Sequence, residues 1–138
     1  MLKVLITTIP FADKNNLPLE LLKSVGAEFV INPIGRKLKE EELAELIENY
    51  DVLIAGTEPI TSKVLDRARK LKLISRVGIG LDSVDLAGAK KKGILVSYTP
   101  DAPAPAVAEL TMGLMLSLLR NIHSVSYTHL TLPTTPYV

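Results

Sequence analysis

Asp51–Ser97 reads DVLIAGTEPITSKVLDRARKLKLISRVGIGLDSVDLAGAKKKGILVS. Three short runs in it, Asp51–Ala55, Leu73–Val77 and Ile94–Ser97, are apolar and rich in β-branched residues. Between them lie two segments with helix signals. Thr61 or Ser62 can cap the first, Lys63–Lys70, whose Val64, Leu65 and Ala68 point inward. Asp85 can cap the second. Lys90, Lys91 and Lys92 fill its last turn, where cations suit the helix dipole, and Gly93 stops it. That lysine triplet reads as a solvated turn rather than an anion site. Near-continuous apolar strands are those buried on both faces, and strand–helix alternation with short connections implies a parallel sheet.

The same alternation extends towards the N-terminus. Leu2–Thr7 is a strand, Pro18–Ser24 a short helix ended by Gly26, and Glu28–Ile31 a strand stopped by Asn32 and Pro33. Lys39–Asn49 is an acidic amphipathic helix with Leu43, Leu46 and Ile47 on its apolar face. Towards the C-terminus, the proline-rich loop TPDAPAP (Thr99–Pro105) leads into a last helix ending near Asn121, with Pro105 in its first turn. The expected fold class is therefore α/β: a flavodoxin-like, doubly wound, parallel sheet of five strands. Ligands of such sheets bind at the carboxyl ends of the strands.

Composition narrows the function. The chain has 138 residues, 47% of them apolar and 22% charged, a globular balance. A net charge of +1 with no basic face argues against nucleic acid as a partner. Cysteine is absent, which excludes a disulfide scaffold and a thiolate metal site and suits a cytoplasmic location; no metal is expected. The N-terminus does not read as a signal peptide, and the longest apolar run falls short of the ~20 residues of a membrane span, so no membrane partner is expected.

Two motifs mislead. Gly78-Ile79-Gly80-Leu81-Asp82-Ser83 begins like a dinucleotide-binding fingerprint after a strand, with Asp101 near the spacing of a ribose-binding acid. The third glycine is missing, the helix opens only at Asp85, and Asp101 lies among prolines beyond the next strand. A flavin or phospho-receiver role fails too. The turn after the first strand has no glycine, and Ala55-Gly56 stand where a receiver carries its aspartate. What remains is a glycine-paired turn at the carboxyl end of a strand. It reads either as a ligand-free βα connection or as a nest of amide N–H groups for an anion.

A longer pattern goes further. Arg76, Gly78, Gly80, Asp82, Val84 and Asp85, then Gly93, Ile94, Val96, Thr99 and Pro100, then Ala106–Leu110, stand in one order. Together with GTEPIT (Gly56–Thr61) this resembles the D-2-hydroxyacid dehydrogenase family, in particular its phosphoglycerate dehydrogenase-like members, over residues 1 to about 123. The resemblance implies an oxidoreductase of two domains that transfers a hydride between a 2-hydroxy acid, 3-phosphoglycerate among the candidates, and NAD. It implies a substrate-binding domain over 1–104, a crossover helix over 105–123 that is buried between domains, and a homodimer of the whole enzyme. By the same resemblance, main-chain amides of Val77, Gly78 and Ile79 hold the substrate carboxylate, and Ile79 also lies near the nicotinamide end of the cofactor. The family's catalytic Arg, Glu and His lie downstream, so no catalytic residue is assigned, and the pyrophosphate-binding turn is missing as well.

Four residues depart from the family pattern. Ser83 and Tyr98 replace asparagines. Pro103 stands where many members place a substrate-holding Asn, and Ala55 where some phosphoglycerate enzymes carry an Arg. Beyond His123 the tail VSYTHLTLPTTPYV (Val125–Val138) looks like a translated sequencing adapter, so 124–138 is expected to be non-native and the chain an inactive fragment. His129 then drops out as a catalytic candidate, and His123 reads as a helix-end residue. The competing reading, of another class, is a stand-alone flavodoxin-like α/β binding module.

Overall fold

The computed structural model describes residues 1–125; the tail reading, Ser124 and Val125 apart, lies outside them. Strands β1 (Lys3–Ile6), β2 (Glu28–Ile31), β3 (Val52–Ala55), β4 (Leu73–Arg76) and β5 (Leu95–Ser97) form one sheet in the order β2-β1-β3-β4-β5. Every pairing is parallel, with Leu5 opposite Leu53 and Leu53 opposite Ile74 in the middle. This is the flavodoxin-like order expected from the sequence, and it reverses direction between β1 and β3. Helices α1 (Leu17–Ser24), α2 (Glu40–Leu46), α3 (Ser62–Arg67) and α4 (Leu86–Lys91) make the crossovers. Residues 1–100 form one compact unit.

Leu5, Leu53 and Ile74 are fully buried in the core, together with Leu43 and Ile47 from the α2 region and Val64 and Leu65 from α3. The edge strands β2 and β5 bury none of their residues, and their shortness and exposure match their positions.

Element ends moved where local bonding competed with pattern. The expected helix 39–49 becomes α2 followed by a 3-10 turn, Ile47–Asn49. The expected helix 63–70 stops at Arg67, and β4 stops at Arg76 rather than Val77. Thr61 sits at the N-cap of α3, but its hydroxyl donates to Glu40 of α2 instead of capping the helix. Asp85 does cap α4, its Oδ1 accepting from Gly88 N–H at 2.9 Å. Gly26 and Gly93 take positive φ where α1 and α4 end, as their place in the sequence indicates.

A second unit starts at Asp101. Its helix α5 (Ala104–Leu119) is apolar nearly all round and none of its residues is buried. At Asn121 the backbone turns left-handed (φ 51°), which asparagine tolerates, and a further helical turn covers 122–125. No helix among the described residues is long and apolar enough to cross a membrane.

Leu53 lies on the central strand with no exposed surface. Leu53→Ala should cost about 2–5 kcal/mol of unfolding free energy, read as a lower urea midpoint.

Candidate functional site at the carboxyl ends of β1, β3 and β4

The sheet's change of direction between β1 and β3 leaves a crevice at their carboxyl ends. A small cleft of ≈ 140 Å³ opens there, lined by Thr7, Thr8 and Ile9 after β1, Gly56, Thr57 and Glu58 after β3, Val77 after β4, and Lys37. Its floor is polar. Glu58 is 1% exposed, accepts the Gly56 N–H at 3.0 Å and bonds the Thr7 hydroxyl through the same oxygen. Gly56 is required there: a Cβ would stand 2.9 Å from Glu58 Oε2 and 3.1 Å from the Thr8 Cα. A buried carboxylate is retained only when its oxygens are bonded, and these bonds tie the β1 and β3 loops together.

The loop after β2 is fastened to the same end. Buried Asn32 donates to Thr7 O (3.3 Å) and Arg36 O (2.9 Å) and accepts from Ile34 N–H (2.9 Å). Arg36 then makes a two-pronged pair with Glu42 of α2, at 2.6 and 3.0 Å. This anchoring carries Lys37 to the cleft. The Arg36 guanidinium, followed by the Lys39 N–H, holds the Glu42 carboxyl down at about 2.

The loop after β4 carries the glycine-paired turn. Val77 and Ile79 are about half exposed, and Gly78 has φ 133°, a conformation L side chains rarely adopt. Of the three amides expected to hold a carboxylate, Val77 N–H is already given to Ala55 O at 2.9 Å, continuing the β3–β4 ladder. Val77 lines the cleft while its amide bonds the sheet. Gly78 and Ile79 N–H have no partner among the described residues. The carbonyls beside them are tied down. Val77 O accepts from the Arg76 guanidinium, and Gly78 O accepts from Thr99 N–H at 3.0 Å.

The loop's far side is fixed through Ile60, which pairs with Ser83 O (2.7 Å) and Asp85 N–H (2.9 Å). The departures from the family pattern sit around this frame. Ala55 is fully buried, Tyr98 is half exposed, and the Ser83 hydroxyl is buried with no partner. Glu58 and Asn32 are the site residues that sequence reasoning missed. A glutamate inside an otherwise uncharged loop, Gly56–Thr61, is the signal that could have found the first. Among the described residues no group of His, Cys, Asp or Glu could hold a metal.

With this geometry established, comparison with known proteins places it. The family model of the D-isomer specific 2-hydroxyacid dehydrogenase catalytic domain matches residues 5–135, further along the chain than the likeness read from the motifs. The chain is 42% identical over 124 residues to D-3-phosphoglycerate dehydrogenase of Methanocaldococcus jannaschii, covering 88% of this chain and 22% of that protein. Among solved structures it resembles the TT0316 protein of Thermus thermophilus, with TM-score 0.82 and 32% identity over 99% of this chain and 43% of the other. It also resembles the cofactor (NAD+)-bound 3-phosphoglycerate dehydrogenase of Entamoeba histolytica, with TM-score 0.73 and 29% identity over 84% and 38% of the two chains. The chain thus spans well under half the length of each of these proteins.

NAD can be tested against the described residues. A pyrophosphate needs a glycine-rich turn opening a helix whose N–H groups are free. The Asp85 carboxylate occupies the start of α4, α5 opens among prolines, and α1 opens with Asn15 Oδ1 on Leu17 N–H and Pro18 beside it. None of these three helix starts fits the pyrophosphate.

The Glu42 pair gives a pH test. A depressed carboxyl stabilises the fold above its ordinary value, 4.5, and loses that contribution as pH falls towards about 2. Urea unfolding of the wild type and Glu42→Gln should differ at pH 6 and converge near pH 2.

Proposed function

The chain belongs to the D-isomer specific 2-hydroxyacid dehydrogenase family, and from that premise we propose that it is the substrate-side part of an enzyme that moves a hydride between a small 2-hydroxy acid and NAD. The observation that carries this reading is the Gly78 turn. Two unpartnered amides, Gly78 and Ile79 N–H, stand at the carboxyl end of a sheet strand beside a cleft. They suit a carboxylate, an anion that accepts two N–H bonds at once. Val77 supplies an apolar wall, and half-exposed Ile79 is left accessible to the nicotinamide end of the cofactor.

In this reading residues 1–104 are the substrate-binding domain and 105–123 the crossover helix to the NAD domain. The exposed Leu114, Met115, Leu118 and Leu119 of α5 would then be covered by that domain and by a second subunit of a homodimer. The groups that move the proton and bind the pyrophosphate come from the rest of the enzyme, so this part binds and orients substrate. A cytoplasmic setting agrees with the lack of cysteine. Phosphoglycerate is the substrate in the names of two relatives. The Arg-for-phosphate position is Ala55 here, and Lys37 is the cation that lines the cleft in its stead.

Gly78 gives the direct test. A side chain there is strained at φ 133°, and its Cβ would meet Arg76 Nη1 at 3.1 Å. In a full-length family enzyme built on this segment, Gly78→Val should raise KM for the 2-oxo acid at least about tenfold while leaving the dissociation constant of NAD near its original value. Equal losses for both ligands would defeat the assignment.

The 138-residue chain itself should give no calorimetric signal with NAD, because the helix start that follows the glycine turn is already closed by the Asp85 carboxylate. Micromolar binding by the chain alone would restore Gly78–Ser83 as a nucleotide site.

A further inference from the structure

Building on the carboxylate reading of the Gly78 turn, we propose that Arg76 is the positioning residue of that site: its guanidinium clamps the Val77 carbonyl, turns the Gly78 N–H towards the ligand, and supplies the positive charge beneath it. Arg76 is the last residue of β4 and only 8% exposed. Among the described residues no carboxylate pairs with it and its Nε has no partner. A buried guanidinium with no counter-ion is costly, so a fold that keeps one leaves a charge for an anion to offset. The free amides of Gly78 and Ile79 are the donors nearest in sequence that such an anion could use.

The orientation follows from peptide geometry. The Val77–Gly78 bond is trans, since the one cis bond among the described residues is Ile9–Pro10. In a trans peptide the C=O and N–H point in opposite directions. Arg76 Nη1 donates to Val77 O, so the N–H of the same peptide faces away from Arg76. Thr99 N–H acts likewise on the next peptide through Gly78 O, which leaves Ile79 N–H turned outward. A charged donor on the carbonyl also polarises the peptide and makes its N–H a stronger donor. Glycine at 78 permits this. An added Cβ would be strained at φ 133° and would stand 3.1 Å from Nη1, tight enough to push the guanidinium off the turn by a few tenths of an ångström. Lysine cannot replace the planar fork, because its ammonium is a point charge on a flexible stem. Arg76 touches the turn and not the ligand, so its role is to position.

The test uses the 138-residue chain, isotope-labelled, with glyoxylate as the probe. Titration should move the Gly78 and Ile79 amide resonances in the wild type. Arg76→Met and Arg76→Lys should weaken glyoxylate at least about tenfold, and free guanidinium ion should restore binding to Arg76→Ala. A through-hydrogen-bond coupling from Arg76 Nη to the Val77 carbonyl carbon should be visible in the wild type, where no variant has to fold. Its absence overturns the clamp. A folded Arg76→Met or Arg76→Lys that binds glyoxylate as tightly as the wild type also overturns the role of Arg76, while leaving the carboxylate site standing. Wild-type amides that do not move overturn the carboxylate reading itself, whatever the coupling shows.

Discussion

The central strand β3 pairs with β1 on one side and β4 on the other, both parallel. Everything at the candidate site follows from that arrangement. Parallel pairing forces each crossover to return the chain to the same end of the sheet, so all carboxyl-end loops gather on one side. Because β2 lies outside β1 while β4 and β5 follow β3, the loops after β1 and β3 part company and a crevice opens between them. Four-residue strands are enough, since the middle of the sheet is covered by helices and buries Leu5, Leu53 and Ile74 completely.

At the end of that apolar sheet, buried polar groups replace hydrocarbon. Thr7, Asn32, Glu58 and Arg76 are all more than nine-tenths buried. Two of them bond loop to loop, Glu58 joining β3 to β1 and Asn32 joining β2 to β1, while Arg76 fixes the turn after its own strand. Such groups add little net stability, because desolvation offsets most of each bond. Their effect is geometric. Loops held by bonds of fixed direction keep their free amides pointing one way, which a slack apolar contact cannot do. Arg76 differs from the others in leaving one of its buried nitrogens, Nε, without a partner among the described residues.

The two anion-attracting features in the Gly78–Asp85 segment have opposite fates. The helix start is closed by the protein's own Asp85 carboxylate, and the glycine turn before it is left open. A dinucleotide turn would have had them the other way round, with the helix start free for a phosphate.

The sequence by itself determined the α/β class and the five strands, because a buried parallel strand has to be a short apolar run and glycines and prolines punctuate the alternation; the strand order belongs to the structure. It also marked the Gly78 turn, since paired glycines after a strand declare an unusual backbone. Helix ends were less legible: Thr61 could bond its own helix or Glu40, twenty-one residues away, and only packing chose between them. The fate of each amide was beyond the sequence altogether. Val77 N–H is spent on Ala55 O because β3 happens to lie alongside, while Gly78 and Ile79 N–H have no partner among the described residues, where Arg76 and Thr99 hold the carbonyls beside them. Ala55 and Thr99 come from a separate strand and loop, and hydrogen bonds between distant segments are fixed by tertiary placement, on which local pattern carries no information; even the Arg76 bond to its chain neighbour depends on the buried rotamer that packing selects.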